Sequence, residues 1–419
     1  MRIPIITIIF LYVFSLLIDV YISFDIKQIW KKRGVTAYWI SVFLCLAILT
    51  VALCLPRRDG NSDISAIMWL LYTYLTIYVA KFIYLLCSIF GRLFNPVFKT
   101  RRNKRIYPAR LLGVGLGITF MAIMWIGVGY TRRHIIVEKE SFYSDKLPSS
   151  FDGYKIVQLS DLHVGTWGKD TTFLNELVKE VESLHPDLIV FTGDIVNRQS
   201  SELEPFIDVL SRLKAKDGVY SILGNHDYGD YVDWNTPLDK ERNLLQLKDY
   251  QRKMGWKLLN NESVFIKNDK DSILLIGVEN WGEPPFPKYG DLNHALPEKE
   301  DGAGVHQNDR SYKLLLSHNP EHWNQEVGTN TNIDLTLSGH THAWQSMIKI
   351  GDWKWSPAKY RYEQWAGRYD RENKNGENTS LYVNIGSGSV GMPSRLLSAF
   401  PEITLITLRA VNQSGKGNN

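Results

Sequence analysis

Asp161, His163, Asp194, Asn225, His226, Asp227, His318, His340 and His342 stand in five short clusters. These are Asp161-Leu162-His163, Gly193-Asp194, Gly224-Asn225-His226-Asp227, His318 and Gly339-His340-Thr341-His342, in that order along about 180 residues. They offer carboxylates, imidazoles and one amide oxygen, and no cysteine lies nearby. Such a donor set suits Mn, Fe or Zn better than Ca or an ion that prefers thiolates. Two divalent ions about 3.5–4 Å apart can clamp both the attacking and the leaving oxygen of a phosphoryl displacement. A pair of that kind needs a carboxylate that can bridge, and Asp194 is the natural one.

Each cluster follows a stretch that reads as a buried strand: 156–159, 188–191, 219–223, 314–316 and 333–337. Ligands at the C-terminal ends of strands are where an open α/β fold places a site. An amphipathic helix is expected at 171–184, capped by Asp170, and further helices at 201–215 and near 239–254, with strands near 264–266 and 272–277. That alternation predicts a central sheet with helices on both faces.

The ordered set D-x-H, GD, GNHD, H and GHTH resembles the calcineurin-like metallophosphoesterase superfamily over roughly residues 134–409. The block Leu381-Tyr382-Val383-Asn384-Ile385-Gly386-Ser387-Gly388, with Met392-Pro393-Ser394-Arg395 and Pro401-Glu402-Ile403, resembles its membrane-associated bacterial branch. The resemblance implies an α/β (α+β) domain whose two mixed β-sheets form a sandwich flanked by helices, with two metals at one end. It implies that Asp161, His163 and His342 hold the first metal, that Asn225, His318 and His340 hold the second, and that Asp194 bridges. Water activated by coordination would be the nucleophile. His226 would stabilise or protonate the leaving oxygen, with Asp227 orienting it. One departure stands out. The branch often has two small residues after GHTH and then Gln, whereas this chain has Ala343-Trp344-Gln345. Trp344 is therefore expected to narrow or flatten the pocket and to touch substrate.

Some residues invite less. Lone histidines His185, His294, His306 and His322 are given no role, and Asn384 and Ser387 read as parts of a structural turn.

The first third of the chain is a multi-helix transmembrane region, residues 1–133. Four apolar stretches, 3–23, 36–55, 64–90 and 111–130, are each about the ~20 residues that span a bilayer. The first is no signal peptide, because Asp19 rather than a small-residue cleavage site lies at its end. Links 24–37 and 91–110 together hold eleven Lys and Arg, against two in link 56–63. Positive loops stay inside, so the N-terminus, the second link and the catalytic domain are expected on the extracytoplasmic side. Arg132 and Arg133 argue the other way. Asp19 and Lys81 fall at similar depth in the first and third stretches. Either they pair, or Lys81 snorkels to the inner interface.

Residues 1–133 carry 17 basic and 4 acidic side chains, and the remainder 31 and 40. The basic part suits anionic lipid headgroups. The acidic catalytic part excludes nucleic acid as the expected partner. Cys45, Cys54 and Cys87 all lie in the apolar stretches, so the catalytic domain has no disulfide framework. Two aromatic-rich loops, 281–289 and 353–369, are expected to shape the pocket, and the second to meet a membrane interface or a lipid-linked substrate. Residues 410–419 read as a disordered tail.

These features predict a membrane-anchored phosphoesterase with two metal ions, acting on a phosphate ester or pyrophosphate of a lipid or cell-envelope substrate. Two alternatives remain. One is a cytoplasm-facing pyrophosphatase of a nucleotide-linked lipid precursor of the UDP-diacylglucosamine type. The other is a non-catalytic membrane sensor with a relic site, which the intact ligand set argues against.

Overall fold

The computed structural model describes residues 5–29, 32–56, 58–60, 64–94, 106–284, 287–297 and 311–411. The chain divides into two compact units, one over most of residues 1–128 and one over 129–419 with residues 58–60.

The first unit holds four helices long and apolar enough to cross a membrane. They are α1 (Ile5–Ile29), α2 (Lys32–Cys54), α3 (Ile64–Leu93) and α4 (Ile106–Ile126). The first three run past their apolar stretches at one or both ends, so Asp25, Lys27, Lys32, Arg33 and Arg92 lie in helix ends rather than in loops. Arg110, counted with the third link, lies in α4. Lys99, Arg101, Arg102, Lys104 and Arg105 of that link fall outside the described residues. Close approach of α3 and α4 needs small residues, as is usual between membrane helices. A Cβ on Gly117 would stand 3.2 Å from the Ala80 carbonyl oxygen.

Buried charge in this bundle is paired with charge. Asp19 accepts from Lys81 Nζ at 2.8 Å, Tyr78 OH at 2.7 Å and Tyr38 OH at 2.5 Å. Lys81 thus pairs rather than snorkels, and its ammonium lies 4.5 Å from the Tyr78 ring centroid. Asp25, which falls in the first link by its sequence, is fully buried. It accepts from Arg92, from Arg110 Nη2 at 2.5 Å and from Ser88 Oγ at 2.8 Å.

The second unit is built on two six-stranded mixed sheets and a small three-stranded one. In the first sheet the order is β1 (Ile136–Ser144), β15 (Glu402–Ala410), β2 (Lys155–Leu159), β3 (Leu188–Phe191), β4 (Val219–Ser221) and β5 (Lys257–Leu258). In the second it is β12 (Gly367–Glu372), β13 (Asn378–Val383), β9 (Leu335–Ser338), β8 (Lys313–Leu316), β7 (Asp271–Gly277) and β6 (Glu262–Asn268). Strands β10 (Ser346–Ile350), β11 (Trp353–Trp355) and β14 (Leu396–Leu397) make the third. Strands β2–β5 run parallel, as do β7–β9 with β13, and the turns after β2, β3, β4, β8 and β9 bear the five clusters.

Strand alternation explains the layers. Ile156, Leu188, Val190 and Ile222 face Ile273, Leu275, Leu314 and Leu335 across the space between the sheets. Val157, Leu159, Ile189 and Phe191 face outward onto Leu174, Leu177 and Val181 of helix α5 (Thr172–Ser183). Both faces are apolar, so strands of two sheets read alike in sequence. Strand and helix alternation alone therefore suggests one central sheet, whereas the sandwich of two mixed sheets that the family resemblance implies is what the structure has. Gln158 Nε2 of β2 ties them by donating to Ser338 O of β9 at 2.9 Å.

The helix expected at 201–215 is shorter: a tight 3₁₀ stretch, Ser200–Phe206, leads into Ile207–Leu210. Pro205 lies inside it and cannot donate to a regular α ladder. The helix expected at 239–254 runs Pro237–Lys253, started by a capping box between Thr236 and Asp239. Ala410 ends β15, and residues 412–419 of the tail lie outside the described residues.

Candidate metal centre

The five clusters meet at one end of the sandwich. Turns after β2, β3 and β4 bring Asp161, His163, Asp194 and Asn225, and turns after β8 and β9 bring His318, His340 and His342. Asp161, His163 and His342 form one group of converging donors, and Asp194, His318 and His340 another. Five of these six residues hold a left-handed backbone: Asp161 (φ 54°), His163 (φ 42°), Asp194 (φ 60°), His340 (φ 73°) and His342 (φ 51°). Non-glycine residues rarely adopt that region, and such strain concentrates where function fixes the chain. Gly224 is needed for space. A Cβ there would lie 2.2 Å from Asp194 Oδ1.

Asp194 joins the groups. Its Oδ2 lies 3.2 Å from His318 Nε2 and 3.6 Å from His163 Nε2. Its Oδ1 accepts from the His226 backbone N–H at 2.8 Å. In the first group, His342 Nε2 is 3.1 Å from Asp161 Oδ1 and 3.0 Å from His163 Nε2. In the second, His318 Nε2 is 3.2 Å from Asn225 Oδ1 and 3.3 Å from His340 Nδ1.

Outer partners aim these rings. His163 Nδ1–H donates to Val196 O at 3.2 Å and His318 Nδ1–H to Thr192 O at 2.7 Å, which turns each Nε2 toward the cluster. His340 is reversed, with Nδ1 inward and Nε2 3.0 Å from Tyr362 OH. His342 Nδ1 lies 3.3 Å from the guanidinium of buried Arg395. Ser160 Oγ donates to Asp161 Oδ2 at 2.5 Å, and Gly388 N–H donates to Asp161 O at 2.8 Å.

Charge is unbalanced in a way that favours cations. Burial raises both carboxyls, but the imidazoles more than offset it, holding Asp161 (through His342) and Asp194 (through His318) well below the usual carboxylate range. Burial lowers His163 well below the usual imidazole range, with His226 beside it, and lowers His340 to about 3, with His318 beside it, so both are neutral. Burial also opposes charge on His318, but Asp194 lifts it to about 9. Metal binding must displace that proton. Two carboxylates, four imidazoles and an amide oxygen converging in a buried space fit two divalent ions.

His226 and Asp227 part company. His226 Nδ1–H donates to Asn197 O at 2.6 Å, and its ring stacks on Tyr231 at 4.2 Å and 15°. Asp227 does not stand behind it. Its carboxylate accepts from the backbone N–H groups of Asp194 (2.9 Å), Ile195 (3.0 Å) and Gly224 (2.9 Å). These bonds clamp the Asp194 turn and do not orient His226 as expected, because the tight Gly224–Asp227 turn folds the carboxylate onto the Gly224 N–H and the backbone of 194 and 195. Burial and then the neighbouring Asp194 push its carboxyl up to about 7, against the pull of those donors.

Trp344 lies on a left-handed turn in which His342, Ala343, Trp344 and Gln345 all have φ between 46° and 54°. It is 49% exposed. Of the aromatic loops, 353–369 sends Tyr362 to His340 and buries Trp365, while Trp353 and Tyr360 are exposed. In the other, Trp281 is buried against His322, and residues 285–286 lie outside the described residues. Asn384 and Ser387 serve the turn, bonding Thr404 and Gly386, and the Ser160 and Glu402 carbonyls.

Tyr231, Tyr362, Arg395 and Asn197 are site residues that the sequence does not announce as such. Tyr362 lies in an aromatic-rich loop and Arg395 in the Met-Pro-Ser-Arg block, so both carry a signal. Tyr231 and Asn197 carry none, since they act by stacking and by a backbone carbonyl.

Comparison with known proteins agrees with this geometry. Residues 154–344 match the calcineurin-like phosphoesterase family model, and residues 1–131 match a model described as "Probable Calcineurin-like phosphoesterase, transmembrane domain". An uncharacterized metallophosphoesterase, YkuE, of Bacillus subtilis is 30% identical over 68% of this chain and 91% of its own length. A transmembrane protein with a metallophosphoesterase domain from Danio rerio is 30% identical over 63% of this chain. The match spans 55% of that relative's length. An uncharacterized metallophosphoesterase of Aquifex aeolicus is 28% identical over 71% of this chain and its whole length. The chain belongs to the calcineurin-like metallophosphoesterases and carries a transmembrane region.

Proposed function

We propose that this protein is a membrane-anchored phosphoesterase that hydrolyses a phosphate ester or pyrophosphate bond of a lipid or cell-envelope substrate, using two divalent ions of the Mn, Fe or Zn kind. The single observation that carries this is the Asp194 carboxylate between His163 and His318, joining two three-residue donor groups. Asp161, His163 and His342 would hold one ion; Asn225, His318 and His340 the other; Asp194 both. When bound, the pair supplies Lewis-acid charge and an activated water. The chain's residues do the rest. His226, with Nδ1–H fixed on Asn197 O, keeps Nε2 for the leaving oxygen and its proton. Asp227 holds the bridging turn in place. Trp344 at the rim, next to the His342 ligand, offers a flat apolar face to substrate.

The catalytic domain is assigned to the extracytoplasmic side. The excess of Lys and Arg in the first and third links supports this. Arg92 and Arg110 of the third link are bound to Asp25, and Arg132 and Arg133, the contrary pair, have partners of their own. Arg132 donates to Pro393 O at 2.9 Å with its guanidinium 4.2 Å over the Trp167 ring, and Arg133 pairs with Asp170 at 3.1 Å. The test joins topology to substrate. A protease added to intact spheroplasts should digest residues beyond 133, and purified protein should act on a lipid phosphoester in a panel of lipid and nucleotide phosphoesters. Protection of the domain, with cleavage of a UDP-linked lipid instead, would overturn the extracytoplasmic assignment in favour of the cytoplasm-facing pyrophosphatase.

A further inference from the structure

Residues 58–60, in the turn between α2 and α3, belong by their contacts with the catalytic unit. They touch two segments there. Arg58 Nε bonds Asp233 Oδ1 at 2.5 Å, and Arg58 Nη2 donates to Asp230 O at 3.2 Å. Asp233 N–H returns a bond to Arg58 O at 2.8 Å. On the other side, Gln199 Nε2 donates to Gly60 O at 2.6 Å and Arg198 Nη1 to Asp59 O at 3.4 Å.

The same two segments make the seat of His226. Asn197, one residue before Arg198, supplies the carbonyl that fixes His226 Nδ1 at 2.6 Å. Tyr231, between Asp230 and Asp233, supplies the ring on which His226 stacks, and its hydroxyl accepts from Asn225 Nδ2 at 2.9 Å. The turn stands at one remove from His226. It links the hydrogen-bonding wall of the seat to its stacking wall.

We propose that residues 58–60 are a strap that positions His226, with Arg58 as its principal positioning residue. The bonds themselves are worth little as stability, because Arg58 and Asp233 are partly exposed and such pairs are screened. Their value lies in placement. A proton donor displaced by a fraction of an ångström loses rate without losing substrate affinity or metal. Residues 58–60, which group with the catalytic unit, would then be part of the catalytic apparatus. This inference rests on His226 being the group that protonates the leaving oxygen.

The experiment uses the full chain in lipid nanodiscs and two phosphodiesters, one with a nitrophenolate leaving group and one with an alkoxide. An alkoxide needs a proton and nitrophenolate does not. Arg58→Ala should lose roughly 10-fold in kcat on the alkoxide substrate and less than about 3-fold on the nitrophenolate, with KM and metal content unchanged. Arg58→Lys should recover part of the loss. Asp233→Asn, which keeps the backbone bond to Arg58 O, should give a smaller loss of the same pattern and serves if Arg58→Ala does not fold. Equal losses on both substrates, or none, would overturn the strap. His226→Ala separates the two layers. If it shows the leaving-group dependence and the Arg58 and Asp233 variants do not, the strap alone fails. If it shows no such dependence, the role of His226 fails first.

Discussion

The membrane bundle and the catalytic sandwich both bury carboxylates, and they neutralise them differently. In the bundle each is matched by a cation of the chain itself: Asp19 by Lys81, and Asp25 by Arg92 and Arg110. In the sandwich, Asp161 and Asp194 face imidazoles, of which burial keeps His163 and His340 neutral while Asp194 lifts His318. A third solution appears at Glu402. Burial pushes its carboxyl up to about 7, and Thr404 and Tyr382 donate to it at 2.8 and 2.9 Å. A buried ion pair is complete as it stands. A buried carboxylate set among imidazoles rather than Lys or Arg offers donors that fit divalent cations, and this is how the two regions differ.

Breaking each arrangement should therefore fail differently. The largest effect is expected at the bridge. Asp194→Ala should lose several kcal/mol of transition-state stabilisation, roughly 10³-fold or more in kcat, with the fold kept. Steady-state assays beside circular dichroism would check both halves. In the bundle, Asp19→Asn leaves Lys81 buried without its counter-charge and should cost about 3–5 kcal/mol of stability. Adding Lys81→Met should recover most of it, read as Tm in detergent. If the double variant is no better than the single one, the pair is not what holds Asp19.

The smallest effect is at Glu402. Its folded pKa lies above its ordinary 4.5, so the stability it contributes is complete below about 4.5 and lost as pH rises through about 7. Glu402→Gln, neutral at every pH, should therefore gain Tm relative to the parent as pH rises from about 5 to about 7. The gain corresponds to at most ~1.4 kcal/mol for each step of one in pH. A difference in Tm that stays flat across that range would show Glu402 ionised in the fold.

The converging donors were legible because chemistry restricts residue type: only a few side chains can hold a divalent ion, and each follows an apolar strand. Asp227 misleads because sequence adjacency to His226 resembles a hydrogen bond, while the turn sends the carboxylate to the backbone of 194 and 195. Asp25 looks like a loop residue because it follows the apolar run of α1, yet Arg92 and Arg110, 67 and 85 residues away, draw it into the bundle. The left-handed φ of Asp161 and His342, the stacking of Tyr231 and the strap at Arg58 leave no trace in the pattern of residue types. Each depends on how distant segments meet, and one buried face of a strand looks like another.

The most direct measurement is the number of metal ions per chain. Full-length protein purified in detergent under metal-replete conditions, dialysed and analysed by mass spectrometry, should hold close to two transition-metal ions, and Asp194→Ala should lose both. Activity on an aryl phosphodiester should vanish with chelator and return with added Mn. Fewer than about half an ion per chain in the parent protein would contradict the two-metal centre.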